Sequence, residues 1–358
     1  MNRLIRAVID ARALRSNLAA VRTRAPGARV MAVVKANAYG HGLVPTALAL
    51  ADADAFAVAR LDEGLALRAA GVTAPIVLLE GVFDIEQLLE AARHGFDIVV
   101  HDPVQIELLE QFSGAHRFVV WLKIDTGMNR LGFRPNDFAA ALKRVQDMRP
   151  AALEIRSLTH LARADDRDET ANREQITKFN RAIAGLNCAT SISNSAGILS
   201  GAGIDAGWVR PGLALYGVSP FSDREGGQIG LQAAMSLESS VIAIRRVPKG
   251  ETVGYGGTWR AQRDSAVAIV AAGYGDGLPR NLPTQTPVLI ADKRAPIVGR
   301  VSMDMIAVDV SALAPVHVGD RVTLWGAGLP VEEIARHAGT IPYELLCGVS
   351  QRVPLELR

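Results

Sequence analysis

Apolar residues cluster in short runs along the first 220 positions: "VMAVV" (30–34), "AFAVA" (55–59), "PIVLL" (75–79), "DIVVH" (97–101), "FVVWLKI" (118–124), "LEIRSLTH" (153–160), "ATSIS" (189–193) and "WVRPGLALYG" (208–217). Most are apolar at nearly every position, the pattern of parallel strands covered on both faces. Between most of them the apolar positions take helical spacing. "DIEQLLEAARHG" places Ile85, Leu88, Leu89 and Ala92 on one face, with Asp84 as N-cap and Gly95 as a stop. Phe138, Leu142 and Val145 repeat that spacing, as do Leu14, Leu18 and Val21 ahead of Pro26-Gly27. Eight strand–helix units in this length predict a (β/α)8 TIM barrel. The alternative is an open doubly wound sheet; no glycine-rich dinucleotide fingerprint opens the first helix, which favours the barrel.

Beyond about residue 220 the pattern changes. "SDREGGQIG" reads as a loop, and "MSLESSVIAIRRVPKGETVGYGGTW" alternates apolar and polar positions around a Pro-Lys-Gly turn. Short strands with turns continue through "AVAIVAAGYGDG", "TPVLIADKRAPIVGRVSMDMIAVDV" and "GDRVTLWG", with one late helix, "PVEEIARHAG" (330–339). The predicted division is α/β: a barrel over residues 8–222, then a mostly β-strand C-terminal domain over 223–358.

Composition narrows the class. The chain has 358 residues, 49% of them hydrophobic, enough for a large core. The net charge of +2, with both signs mixed throughout, argues against nucleic-acid and membrane-surface partners. Two cysteines, Cys188 and Cys347, lie far apart, which fits a reducing compartment. Charges interrupt every apolar run near the N-terminus, and no uncharged apolar stretch of ~18 residues occurs, so neither a signal-peptide core nor a transmembrane helix is expected. The expectation is a soluble, cytoplasmic protein without a metal site.

The first predicted strand ends in Lys35, within "VMAVVKANAYGHG". Barrel enzymes gather their chemistry where strands end at the C-terminal face. A lysine there is most often only a solvated charge; its chemical alternative is a Schiff-base lysine, whose free amine is favoured by partial burial and nearby cations. Other strand ends weigh toward chemistry. Arg130 follows the fifth strand, His160 ends the sixth, Asn194-Ser195-Ala196-Gly197 follows the seventh, and Arg210 lies in the eighth. Together they put cations, a histidine and a small Ser/Gly turn suited to a phosphate on one rim.

"AVVKANAYGHG" resembles the pyridoxal-phosphate attachment motif of the bacterial alanine racemases, which are fold-type III pyridoxal-phosphate enzymes. "LKIDTGMNRLGF", "VRPGLALYG", "VGYGGTW", "AAGYGDG", "GRVSMDM" and "PYELLC" resemble further motifs of that family, in the family's order and across essentially the whole chain. The resemblance implies a barrel followed by a β-rich domain that residues 1–7 join. It implies an isomerase, an alanine racemase interconverting L- and D-alanine through an external aldimine and two-base proton transfer at Cα. Such an enzyme supplies D-alanine for peptidoglycan or serves alanine catabolism.

Residue by residue, the resemblance makes Lys35 the lysine that forms the internal aldimine with pyridoxal 5′-phosphate and one catalytic base. Tyr255, from the other subunit of a homodimer, becomes the second base. Arg210 faces the pyridine nitrogen, and His160 hydrogen-bonds Arg210, although its neighbours "LTHLARAD" lack the family's commoner phenylalanine. Arg130 lies near the cofactor's phenolic oxygen and the substrate carboxylate, oriented by Lys123, which many members carbamylate. Tyr39, Ser195, Gly212 and Tyr343 match phosphate positions. Met303 offers its backbone N–H to the substrate carboxylate, Asp304 helps set that geometry, and Tyr274 lies at the active-site entrance. Three other readings are a racemase of broader specificity, a fold-type III amino-acid decarboxylase and a vitamin-B6 carrier. A decarboxylase is expected to be longer with a catalytic cysteine in the β domain, and a carrier leaves the β domain without purpose.

Overall fold

The computed structural model describes residues 4–148, 153–166 and 168–358. The chain begins with β1 (Arg6–Ile9), and a helix over Ala11–Arg24 follows, with Asp10 accepting the Arg12 and Ala13 N–H groups at 2.7 and 3.1 Å as its N-cap. The eight apolar runs then form β2 (Arg29–Val33), β3 (Ala55–Val58), β4 (Ile76–Leu78), β5 (Asp97–Val100), β6 (Phe118–Lys123), β7 (Leu153–Leu158), β8 (Thr190–Asn194) and β9 (Trp208–Arg210). Each pairs in parallel with the next, and β9 returns to β2, closing the barrel. β3, β4 and β5 are buried along their whole length, as strands between a filled barrel interior and an outer ring of helices must be.

The second domain holds β10 (Met235–Val247), β11 (Thr252–Val253), β12 (Trp259–Arg260), β13 (Ser265–Val270), β14 (Pro287–Ile290), β15 (Lys293–Val298), β16 (Ile306–Asp309), β17 (Arg321–Trp325) and β18 (Leu355–Leu357). β11 and β12 form a small ribbon; the others and β1 make one sheet in the order β13-β16-β15-β14-β17-β10-β1-β18, with β10 also pairing β13. No helix among the described residues is long and apolar enough to cross a membrane.

Three details differ from the sequence expectation. The boundary at residue 8 falls inside β1, because Val8 and Ile9 pair with Ser236 and Met235 of β10 and with β18, so they lie in the second domain's sheet. Residues 1–3 of the segment expected to join that domain lie outside the described residues. The eighth run is a strand only over Trp208–Arg210: Pro211 has no N–H for a ladder, and Leu213–Tyr216 form a short 3-10 turn. The late helix is followed by a second, so Val331–Ala338 is joined by Pro342–Cys347, with proline at its favoured first position.

A polar cluster sits inside the barrel wall. Asp97, 8% exposed, has Arg156 at 3.6 Å, but Arg156 also serves Glu154 at 2.8 Å and lies over Trp121 and Trp208. Burial therefore outweighs the attraction and pushes the Asp97 carboxyl up to about 6. Its ionised form is disfavoured in the native state, so stability falls as pH rises from about 4, the unfolded value, through about 6. Asp97→Asn is expected to remove this slope and to gain about 2–3 kcal/mol at pH 7.5. Thermal melts from pH 4 to 8 check it; a variant less stable than the parent at pH 7.5 means that the ion pair outweighs burial.

Candidate active site

The C-terminal ends of the barrel strands open into a cavity of about 820 Å³. Lys35, half-buried, lines it two residues past Val33, the end of β2. Lys123 ends β6, Arg130 follows in the next loop, His160 follows β7, Ser195 follows β8 and Arg210 ends β9; all five line the same space. Tyr39 and Gly212 line it too, and Tyr343 and Cys347 come from the helix Pro342–Cys347 of the second domain.

Arg210 is the most firmly held of these groups. It is 4% exposed; Nη1 donates to Ser191 Oγ at 2.6 Å, and Nη2 to the carbonyls of Thr159 and Ile192 at 2.5 and 3.2 Å. Nη2 also lies 3.3 Å from His160 Nδ1, which must accept and so carries no proton. Burial lowers Arg210 to about 10, which leaves it charged at neutral pH. Burial first, then Arg210, Lys123, Arg130 and Lys35, drives His160 well below its usual value, so it is neutral. Burial and then the same cations, Arg210 foremost, push Lys123 down to about 8. A site with this much positive charge suits an anionic ligand.

The hydroxyl set fits a phosphate. Ser195 Oγ accepts the Gly212 and Ala214 N–H groups at 2.9 and 3.1 Å, which leaves its own proton free to donate. Burial raises Tyr39, and it raises Tyr343 to about 12, so both phenols stay protonated donors. A Cβ on Gly212 would stand 2.5 Å from Tyr39 Oη; only glycine leaves room for that hydroxyl.

Between Lys35 and Tyr39 the backbone takes a rare course. Ala36, Asn37, Ala38 and Tyr39 all have φ of 53–54°, a left-handed turn built without glycine. At about 1–2 kcal/mol per residue, the four together cost roughly 4–8 kcal/mol. Strain of this size persists only where surrounding contacts over-determine it. One such contact is Gly40, φ 81°, whose absent Cβ would stand 2.0 Å from the Leu346 carbonyl oxygen of the second domain. Two more come from Glu63 and His41, which sequence reasoning did not single out. Glu63 stands at the head of a helix, where a carboxylate is expected for local reasons alone, and His41 was legible only as part of its motif.

Four predicted residues do not reach the cavity. Tyr255 is 68% exposed and Met303 53% exposed, both on the second domain, as are Tyr274 and Asp304. Tyr274, Met303 and Asp304 are nevertheless assembled with one another. The Tyr274 N–H donates to Ser302 O at 3.0 Å and that of Gly275 to Met303 O at 2.8 Å. Arg352 reaches Asp276 and Asp304, both at 2.7 Å. The Tyr255 turn lies beside Arg300, whose Nη1 stands 3.4 Å from the Cβ position of Gly256. The expected residues thus fall into two separate groups, one lining the barrel mouth and one on the second domain.

Residues 9–220 match the family model "Alanine racemase, N-terminal domain", and residues 234–357 match "Alanine racemase, C-terminal domain". The alanine racemase of Shewanella sediminis is 50% identical over 97% of both chains. Among solved structures, the biosynthetic alanine racemase of Pseudomonas aeruginosa superposes with a TM-score of 0.96 at 42% identity, over 99% of each chain. That of Bartonella henselae, which holds covalently bound pyridoxal phosphate, superposes with a TM-score of 0.90 at 32% identity, over 99% of this chain and all of that one.

Proposed function

This chain belongs to the alanine racemase family, and from that premise we propose that it interconverts L- and D-alanine by two-base proton transfer at Cα, with pyridoxal 5′-phosphate held in the cavity around Lys35. The observation that carries the proposal is the convergence of Lys35, Tyr39, Ser195, Gly212 and Arg210 on one cavity at the barrel mouth. Bound there, the cofactor supplies an aldehyde that links to an amine and a ring that delocalises the electron pair left at Cα.

Lys35 would bond the cofactor's aldehyde carbon and would move a proton on one face of Cα. Racemisation needs a second base on the opposite face. The Tyr255 hydroxyl of a second copy serves there, in a homodimer whose sites are shared between subunits; the exposure of Tyr255 and its separation from the cavity support this assignment. With the cofactor bound, Arg210 would donate at the ring nitrogen without giving its proton up, which would keep the ring a weaker electron sink than an acid partner there would make it. Arg130 binds the substrate carboxylate, joined by the Met303 backbone N–H of the second copy. Asp304, fixed by Arg352, sets the direction of that N–H, and Tyr274 flanks the entrance. His160 steadies Arg210, and Tyr39, Ser195, Gly212 and Tyr343 would hold the phosphate.

Lys123, pushed down to about 8, has an appreciable share of free amine near neutral pH, and that amine can add to carbon dioxide with loss of a proton. Carbamylation turns its repulsion with Arg130 into an ion pair that orients the arginine. The reaction belongs in the cytoplasm, where D-alanine feeds peptidoglycan or alanine enters catabolism.

Proton NMR of the protein with pyridoxal 5′-phosphate and L-alanine in D2O, with enantiomer analysis of the same sample, tests the reading. Loss of the α-proton signal together with D-alanine formation is expected. Ethylamine as product would make it a decarboxylase, and unchanged alanine beside visibly bound cofactor would remove alanine as the substrate.

A further inference from the structure

Two side chains that take no part in the mechanism above grip the left-handed turn from its two ends. Glu63 Oε1 accepts the Ala36 N–H at 2.6 Å, and its other oxygen accepts the N–H groups of Ala59 and Arg60 at 2.8 and 3.2 Å. The start of the turn is thereby tied to the end of β3 and the head of the helix Leu61–Ala69. At the far end, His41 Nδ1 lies 3.1 Å from Ala38 O and 2.9 Å from Tyr39 O. Both partners are acceptors, so Nδ1 carries the proton. His41 is fully buried and does not line the cavity, and burial lowers it to about 4, so a neutral ring remains that cannot exchange protons with substrate. Its ring packs 4.5 Å from that of Tyr216. Tyr216 in turn stacks on Tyr39 at 4.8 Å and donates its hydroxyl to Val33 O at 2.9 Å. The turn is therefore bound to the end of β2 through side chains as well as through the main chain.

We propose that His41 and Glu63 are positioning residues that hold the turn Ala36–Tyr39 left-handed, so that Lys35 and Tyr39 address the aldehyde and phosphate ends of one cofactor molecule at a fixed mutual angle. This rests on the cofactor reading given above. Relaxation of any of the four residues toward an ordinary φ would redirect Tyr39 relative to Lys35, and a misplacement of about 1 Å costs much of a pre-organised contact. The clamp thus acts on the coupling between the two ends of the ligand rather than on either end alone.

The test compares pyridoxal 5′-phosphate with pyridoxal, which has the aldehyde but no phosphate, as ligands of Lys35, titrated by absorbance in the full chain. His41→Leu is expected to weaken pyridoxal 5′-phosphate about tenfold, the effect of one lost buried hydrogen bond, while pyridoxal changes less than about twofold. His41→Asn, whose amide Nδ2–H can donate where Nδ1–H did, is expected to restore most of the loss. Glu63→Gln, which keeps one acceptor but cannot accept on its amide nitrogen, reads the same ratio from the other end and decides the matter if His41→Leu does not fold. Equal weakening of both ligands, or equal behaviour of the Leu and Asn variants, overturns the clamp, as does an unchanged affinity in both His41→Leu and Glu63→Gln. If the unaltered protein binds neither aldehyde at Lys35, the cofactor reading fails and the clamp falls with it; uptake by the unaltered protein with unchanged variants defeats the clamp alone.

Discussion

Lys35→Ala is expected to abolish racemisation in both directions, by about 10³–10⁴-fold or more, and to remove the absorbance of lysine-bound cofactor. The size follows from losing a proton-transfer group and the covalent anchor in one substitution. The remaining donors, Ser195, Tyr39 and Arg210, still face the cavity, so the variant should keep measurable non-covalent affinity for the cofactor. Absorbance spectra and turnover from both enantiomers check it. A variant that keeps the lysine-bound absorbance removes Lys35 from the mechanism.

Tyr255→Phe carries the second large effect. Only a hydroxyl is lost, from a side chain that is 68% exposed in one chain, so folding and cofactor uptake should be unaffected. Racemisation should fall by about 10²–10⁴-fold, with kcat/KM falling equally in the two directions because each direction uses both bases, while exchange of the α-proton with solvent becomes unequal for the two enantiomers, each of which presents its proton to a different base. A mixing experiment adds a sharper reading. When Lys35→Ala and Tyr255→Phe chains are co-expressed, a mixed dimer holds one site with both bases intact. With about half of the dimers mixed and one of their two sites complete, about a quarter of the parent activity should return. No recovery in verified mixed dimers would place both bases within one chain, against the shared-site reading.

The barrel was legible because its strands are buried on both faces and so read as unbroken apolar runs. Lys35, His160 and Arg210 stood out because a charged or titratable residue at the end of such a run is conspicuous, whereas Lys123 drew attention through the family resemblance. Other features left weaker traces. β1 has only four residues and sits in a charged N-terminal segment, so its membership of the second sheet is a tertiary fact. The left-handed turn has no glycine among Ala36–Tyr39 to announce positive φ, and Glu63 lies at a helix head where carboxylates are common for local reasons. Tyr255, Met303, Tyr274 and Asp304 drew attention through the family resemblance; without it Tyr255 reads as a strand aromatic in a Gly-rich turn and Met303 as β-core packing.

The pairing of β1 with both β10 and β18 also bears on how the molecule is made. β1 finds its partners only far along the chain: Arg6 meets Glu238, 232 residues later, and Glu356, 350 residues later. The barrel, encoded between them, has all its strands before the second sheet is complete, and domains that emerge first fold first. β1 therefore has no partner until β10 has been made, and its other edge stays open until β18 follows more than a hundred residues later.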